Sequence, residues 1–295
     1  MTTAGMGTEQ PGRSSDALTR LPRALYSSSM KSVHGIPVLG FGTWPLKGQQ
    51  CSESVRVALA LGYRHIDTAD GYANHREVGQ AIRDSGVTRE EIFLTTKVRR
   101  DDLRRDDVIA ACERFLAELQ TDYLDLALIH WPNNDIPMEE TFAGFQELKD
   151  RGVVRNFGVS NFTIARLERA GAITDGIIVD QVEYHPSLNQ QSLLDYCQSR
   201  DIAVTAYSPV AKGQDLHLPI IQELAKKYQR SASQVILNWL IRKGTIAIPS
   251  SGAANHIEDN LRALEWALAT EDVAKIDQLD RNNRLTQSSF AEFDR

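Results

Sequence analysis

From residue 38 onward the chain repeats one unit: a short apolar run, a polar connection, then a segment with apolar residues at helical spacing. The runs that read as strands are "VLGFGT" (38–43), "YRHIDT" (63–68), "IFLTTK" (92–97), "LDLALIH" (124–130), "VRNFGVS" (154–160), "IIVDQVE" (177–183), "IAVTAYS" (202–208) and "TIAIPS" (245–250). Helical patterns separate them: "SESVRVALALG", "HREVGQAIRDSG", "RDDVIAACERFLAELQ", "MEETFAGFQELKDRG", "TIARLERAG", "QQSLLDYCQSR" and "SASQVILNWLIRKG". In the second of these, Val78, Ala81 and Ile82 fall on one face, the spacing of an amphipathic helix. Strands alternating with helices predict parallel pairing with the helices outside. Eight such strands in about 250 residues match a closed (β/α)8 TIM barrel in number and size. An open doubly wound sheet is the alternative. Just upstream, "KSVHGIPVLGFGTW" alternates apolar and polar residues around a His-Gly turn, which predicts a short N-terminal β-hairpin.

Residues 1–29 are rich in Ser, Thr, Gly and Arg and show little periodicity, so a disordered N-terminal extension is expected there. Residues 30–295 form the single barrel domain, since no shift in composition divides them. The formal net charge of -6 argues against a nucleic-acid partner, which would demand a basic face. No apolar run approaches the roughly 18 residues of a membrane span, and the N-terminus lacks the apolar core of a secretory signal. Cys51, Cys112 and Cys197 are far apart and form no C-x-x-C pair. They read as buried, reduced thiols of a cytoplasmic protein.

A closed parallel barrel collects its chemistry where strands end and loops begin. Asp67 ends or nearly ends the second strand, Lys97 the third and His130 the fourth, and Tyr72 lies just past Asp67. Singly, each has an ordinary explanation: a helix cap, a surface charge, a structural histidine, a packing lid. Their coincidence on adjacent strands favours a site. A free phenol has a pKa near 10, too high for an efficient proton donor at neutral pH. A cation within about 4–6 Å lowers a pKa by roughly 1–3 units. Lys97 is placed to do this to Tyr72, with Asp67 holding the lysine. A phenol so tuned suits carbonyl reduction, with His130 orienting the carbonyl oxygen.

The hydride for such a reduction must come from a cofactor. The G-x-G-x-x-G fingerprint is absent, because "GFGTWP" puts Pro45 where the third glycine belongs. Barrels instead bind phosphate with the loops after strands seven and eight and a helix N-terminus. "IPSSGAANHIEDN", with Ser250 and Ser251, fits that role. A metal-dependent hydrolase is the rival, with His65, Asp67, His130, Glu183 and His185 as ligands. It leaves Tyr72 and Tyr207 without roles, and no metal is expected.

The motifs "HIDTADGY", "LTTK", "LIHWP", "GVSNF", "DQVEYHP", "AYSPVAKG", "IPSS" and "LDRNNRL" occur in this order. Through them residues 30 to about 285 resemble the aldo-keto reductases, the bacterial 2,5-diketo-D-gluconate/methylglyoxal reductases among them. The resemblance implies a catalytic tetrad of Asp67, Tyr72, Lys97 and His130, with Tyr72 as general acid. It implies that Ser160, Asn161 and Gln181 hold a nicotinamide carboxamide and that Tyr207 stacks on the ring. Gly42, Thr43, Asp67, Ser208 and Val210 would lie near the cofactor, and Ser250, Ser251, His256 and Asn260 around its phosphate end. The implied activity is NADPH-dependent reduction of small α-keto aldehydes, keto sugars and aromatic aldehydes by a metal-free monomer. A relative that retains cofactor as a binding subunit without turnover is the other family outcome.

The chain also departs from the family pattern. Ser250 and His256 stand where relatives carry a lysine and an arginine, and histidine is mostly neutral at pH 7. Charge-assisted bonds to phosphate are the strong ones, so NADH stays open beside NADPH. Arg99 replaces a typical tryptophan and is expected to attract anionic carbonyl substrates. His75 replaces a common glutamate and reads as a helix-start variation without chemistry. Short connections after strands four and seven predict an open pocket lined by Trp44 and Trp131, with Phe290 and Phe293 as lids.

Overall fold

The computed structural model describes residues 31–288 and 290–293; the extension expected at 1–29 lies outside the described residues. The hairpin is present as β1 (Ser32–Val33) and β2 (Ile36–Pro37), antiparallel, with Val33 opposite Ile36. His34 and Gly35 at its tip both have positive φ, 51° and 78°, as a tight two-residue hairpin turn requires. Ile36 is fully buried and packs with Leu126, Val179, Ala203 and Ile246. These residues lie near the starts of their strands, so the hairpin plugs the N-terminal mouth of the barrel.

The barrel strands are β3 (Phe41–Gly42), β4 (His65–Asp67), β5 (Phe93–Val98), β6 (Leu124–Ile129), β7 (Val154–Ser160), β8 (Ile177–Glu183), β9 (Ala203–Tyr207) and β10 (Ile246–Ala247). Each pairs in parallel with its neighbours in chain order. The last strand returns beside the first. Leu39 bridges to Ala247 in parallel, with Gly40 N–H donating to Ala247 O at 2.9 Å, Ala247 N–H to Val38 O at 2.9 Å and Gly42 N–H to Pro249 O at 3.0 Å. The sheet therefore closes on itself. Strand order never reverses, which excludes the doubly wound alternative. β3 and β10 are shorter than their apolar runs; past Ala247 the chain meets Pro249, which has no N–H to give a ladder.

Around the barrel lie α1 (Gly48–Leu61), α2 (His75–Asp84), α3 (Arg105–Leu119), α4 (Met138–Asp150), α5 (Ile164–Gly171), α6 (Gln191–Ser199), α7 (Pro219–Tyr228), α8 (Ala232–Arg242), α9 (Ala254–Leu261) and α10 (Thr270–Asp277). The main core fills the layer between these helices and the strands. Helices α7 and α10 have no counterpart in the sequence reading. The apolar spacing is present, with Ile221, Leu224, Ala225 and Tyr228 of α7 and Val273 and Ile276 of α10 against the core, but each is an extra helix in its connection, for which a one-strand, one-helix repeat leaves no place. Gly79 brings α2 onto the C-terminal end of α3, where any Cβ would collide with the Leu119 carbonyl. All three cysteines are buried and free, as read. Among the described residues no helix is long and apolar enough to cross a membrane.

Candidate active site

Parallel strands deliver their C-terminal ends to one rim, and there the four predicted residues meet. Lys97, next to last in β5, is only 1% exposed. Its Nζ donates to Asp67 Oδ1 at 2.5 Å, to the Thr68 carbonyl at 2.9 Å and to the Tyr72 hydroxyl at 3.5 Å. The other carboxylate oxygen of Asp67 accepts from Gln181 Nε2 at 2.7 Å. Tyr72 ends a single 3-10 turn, Asp70–Tyr72, which leaves through Ala73 at φ 51°. That turn is fixed by a two-pronged bond from Arg114 to Asp70, at 2.7 and 3.1 Å, and by buried Asn74, which accepts from the Thr68 hydroxyl at 2.6 Å and donates to Leu46 O at 3.0 Å. The rings of Tyr72 and His130 meet edge to face, centroids 5.7 Å apart.

Burial governs the electrostatics. It lowers the Lys97 pKa against the pull of Asp67, and with Lys97 as second cause it takes His130 down to about 3. Burial and then the Asp67 carboxylate hold the Tyr72 phenol well above 10. This departs from the lowering expected from Lys97. The ammonium sits 2.5 Å from a carboxylate, so the pair presents little net charge to the phenol, and desolvation wins. At neutral pH the rim thus offers a protonated phenol beside a neutral imidazole.

His65, expected as a metal ligand in the rival reading, instead fills the barrel. Its Nε2 meets the Thr95 hydroxyl at 3.1 Å and its ring lies edge-on to Phe93. Burial lowers its pKa to about 4. Two histidines with depressed values make a stability prediction. Their contribution is present above the unfolded pKa near 6.5 and is lost as pH falls toward the folded values. Urea titrations at pH 6.5 and 5.0 should show unfolding free energy falling by roughly 2 kcal/mol per histidine. A flat profile over that interval contradicts their burial in neutral form.

Beside the rim cluster runs a cleft of about 770 Å³. Its lining includes Gly42, Trp44, Asp67, Tyr72, His130 and Trp131, together with Ser160, Asn161, Gln181 and Tyr207. Ser208, Val210, Ser250 and Ser251 continue it. The three amide-holding candidates form one network. Asn161 Nδ2 donates to His130 O and Ser160 Oγ, both at 3.0 Å, Ser160 Oγ donates to Gln181 O at 2.7 Å, and the Tyr207 hydroxyl donates to Asn161 Oδ1 at 2.9 Å. Thr43 is buried beside the cleft; its backbone N–H binds Asp67 O at 3.0 Å, and its hydroxyl has no protein partner.

Other predicted residues lie outside the cleft lining. Arg99 is exposed. His256 is exposed on α9, and Asn260, on the same helix, is buried and accepts from the Ser233 hydroxyl at 2.5 Å. Helix α9 starts without a side-chain cap. The proposed metal ligands do not converge. Among the described residues the one group of three ligand types close enough to share an ion is Asp70, His75 and Glu118, and Arg114 already occupies Asp70.

The structure also adds residues the sequence reading passed over. Lys212, Leu285, Thr286 and Gln287 line the cleft; Lys212 falls within "AYSPVAKG" and Leu285 ends "LDRNNRL", but no motif reached Thr286 or Gln287. Past them the chain folds back over the rim, where Phe290 and Phe293 meet Trp131 edge-on at 5.6 and 6.3 Å. His75, at the start of α2 as read, is tied into the fold. It is buried, with Nδ1 2.9 Å from Glu118 and Nε2 2.8 Å from the Thr96 hydroxyl, beside Lys97 in β5.

The rim of this closed parallel barrel thus brings a proton-bearing phenol and a neutral imidazole to the side of the cleft. The sequence model of the Aldo/keto reductase family matches residues 38–281, and the chain belongs to that family. It is 41% identical over 254 residues to the methylglyoxal reductase DkgB of Yersinia pestis, covering 85% of this chain and 95% of that protein. It is 40% identical to the glyoxal reductase of Bacillus subtilis, over 85% of this chain and 91% of the relative. The crystal structure of a Bombyx mori aldo-keto reductase in complex with NADP superposes with a TM-score of 0.81 at 36% identity, covering 86% and 92% of the two chains.

Proposed function

We propose that this chain reduces small aldehydes and ketones with NADPH, using Tyr72 as the general acid. One observation carries the reading: a protonated phenol in contact with a buried Lys97–Asp67 pair, edge-on to a neutral His130, in the lining of the cleft. Bound NADPH supplies a hydride to the carbonyl carbon. The chain's own groups manage the proton. As charge builds on the carbonyl oxygen, the Tyr72 hydroxyl gives it a proton and the alcohol forms. The phenolate left behind faces the Lys97 ammonium at 3.5 Å, an interaction stronger after transfer than before it, which is where catalysis gains. Asp67 keeps Lys97 in place. Neutral His130 hydrogen-bonds the same oxygen and sets its direction.

The residues present fit a nicotinamide cofactor. Thr43 Oγ1 is buried without a partner, Gln181 has a second amide N–H beyond the one given to Asp67, and α9 begins uncapped next to Ser251 and Gly252. Ser160, Asn161 and Gln181 would hold the carboxamide, Tyr207 would stack on the ring, and Gly42, Thr43, Ser208 and Val210 would flank it. Ser250, Ser251, His256 and Asn260 would face the phosphate end. With no fixed cation at Ser250 or His256, the preference for NADPH over NADH should be modest. The methylglyoxal and glyoxal reductase names of the relatives support small dicarbonyls as substrates, and the NADP complex of the Bombyx mori protein supports the cofactor. Three buried free thiols support a cytoplasmic setting.

The test is a panel of methylglyoxal, glyoxal, a keto sugar, 4-nitrobenzaldehyde and 4-carboxybenzaldehyde with each nucleotide. NADPH should be consumed with the small aldehydes, and NADH at a kcat/KM about tenfold lower. Consumption of neither nucleotide overturns the reading. Arg99→Ala, run in parallel, should lose more kcat/KM on the carboxylated aldehyde than on the nitro compound; equal losses remove Arg99 from substrate attraction.

A further inference from the structure

Bonded to residues of the cleft lining is a second buried charged cluster that the chemistry above does not use. Glu183 ends β8, and His185, Ser187 and Asp215 gather around it; all four are fully buried. Nε2 of His185 lies 3.0 Å from Glu183 Oε1 and Nδ1 lies 3.1 Å from Asp215 Oδ2. Both ring nitrogens face carboxylate oxygens, so both must donate, which only the doubly protonated ring can do. Asp215 also accepts from the Ser187 hydroxyl at 2.7 Å and the Ser187 N–H at 2.9 Å.

The far sides of this cluster reach two separate stretches of the cleft wall. The two oxygens of Glu183 accept the backbone N–H groups of Leu285 at 2.7 Å and Thr286 at 2.8 Å, and both residues line the cleft. Asp215 belongs to the 3-10 turn Ala211–His217, which carries cleft-lining Lys212 just after Tyr207. Ser187 ties in the same tail, accepting on its carbonyl from Asn283 N–H at 2.9 Å and on its hydroxyl from Asn283 Nδ2 at 3.0 Å.

We propose that His185 is a positioning residue for the reductase site, clamping the C-terminal strap at Leu285–Thr286 and the turn at Ala211–His217 together as one wall of the nucleotide cleft. The proposal rests on the reductase reading given above. Burial alone would pull the imidazole pKa down, but the bonds to Asp215 and then Glu183 outweigh it and hold the ring above its usual range. The same bonds, acting against burial, keep both carboxyls below theirs. These directions agree with the geometry, in which both ring nitrogens face carboxylate oxygens. Neither Glu183 nor His185 lines the cleft, so neither touches the reacting atoms, and the effect on chemistry runs only through the wall.

The test uses the full chain and the variants His185→Gln and Asp215→Asn. Hydrogen exchange should speed up by about tenfold or more at the Leu285 and Thr286 amides in both, including Asp215→Asn, which has no bond of its own to those amides. Exchange in β6 and β7 should stay at the parental rate. NADPH dissociation constants, read from tryptophan fluorescence, should rise roughly tenfold, while the single-turnover rate at saturating NADPH and methylglyoxal stays within about twofold. The double variant should be no worse than the poorer single one, as expected for groups acting through one unit. Uniform acceleration of exchange across the barrel, or unchanged tail exchange in Asp215→Asn, overturns the clamp. The exchange arm needs no turnover, so it separates failure of the clamp from failure of the reductase reading.

Discussion

Tyr72→Phe should reduce kcat/KM for aldehyde reduction by roughly 10³-fold, the range set by loss of a general acid, while the NADPH dissociation constant stays within about twofold. The substitution keeps the ring, and with it the edge-on contact to His130, so the fold has no reason to change. Only the hydroxyl that meets Lys97 is removed. His130 is a poor replacement donor: with its pKa taken down to about 3, almost none of it carries an extra proton at pH 7. A thousandfold loss corresponds to about 4 kcal/mol of transition-state stabilisation. Residual activity within tenfold of the parent, measured under the same saturating nucleotide, would mean that the proton comes from elsewhere.

Lys97→Met should fail in two ways that can be separated. The methionine leaves the Asp67 carboxylate, 1% exposed, with Gln181 as its remaining side-chain donor. Stranding one member of a buried pair costs about 3–5 kcal/mol, visible as a lower urea midpoint. Activity should fall as well, because the phenolate loses its ammonium. Neutralising the acid in the same chain, as Asp67→Asn with Lys97→Met, should recover much of the stability and none of the turnover. A single variant that melts like the parent would show that the pair is not buried as described. A double variant that regains activity would show that the ammonium serves only the fold.

Much of this was legible in the sequence, and for a physical reason. Strand–helix alternation is written in local periodicity, and the C-terminal ends of parallel strands must share a rim, so Asp67, Lys97 and His130 could be placed together from their positions alone. What escaped depends on distant partners. His75 gains its role only from Glu118, on a different helix, and from Thr96. The Leu285–Gln287 stretch enters the cleft because Glu183 receives its backbone, which no local pattern announces. Helices α7 and α10 share their connections with α8 and α9, and a repeat of one strand and one helix gave no reason to look for them. The direction of the Tyr72 shift was misjudged because spacing shows that a cation is near but not that a carboxylate stands closer to it. Arg99 is exposed and outside the cleft lining, so its proposed attraction of anionic substrates acts from outside that lining and is decided by the kinetic comparison.

The closure of the barrel has a bearing on when the protein can first work. Gly42 comes from the opening strand, Ile248 and Pro249 follow the final one, and all three border the same cleft. During synthesis, the ribosome must therefore release residue 249 and beyond before this cleft, the proposed nucleotide site, has all its walls. A molecule that then spans this junction joins the oldest and youngest parts of the barrel, and resists their parting as a rivet does.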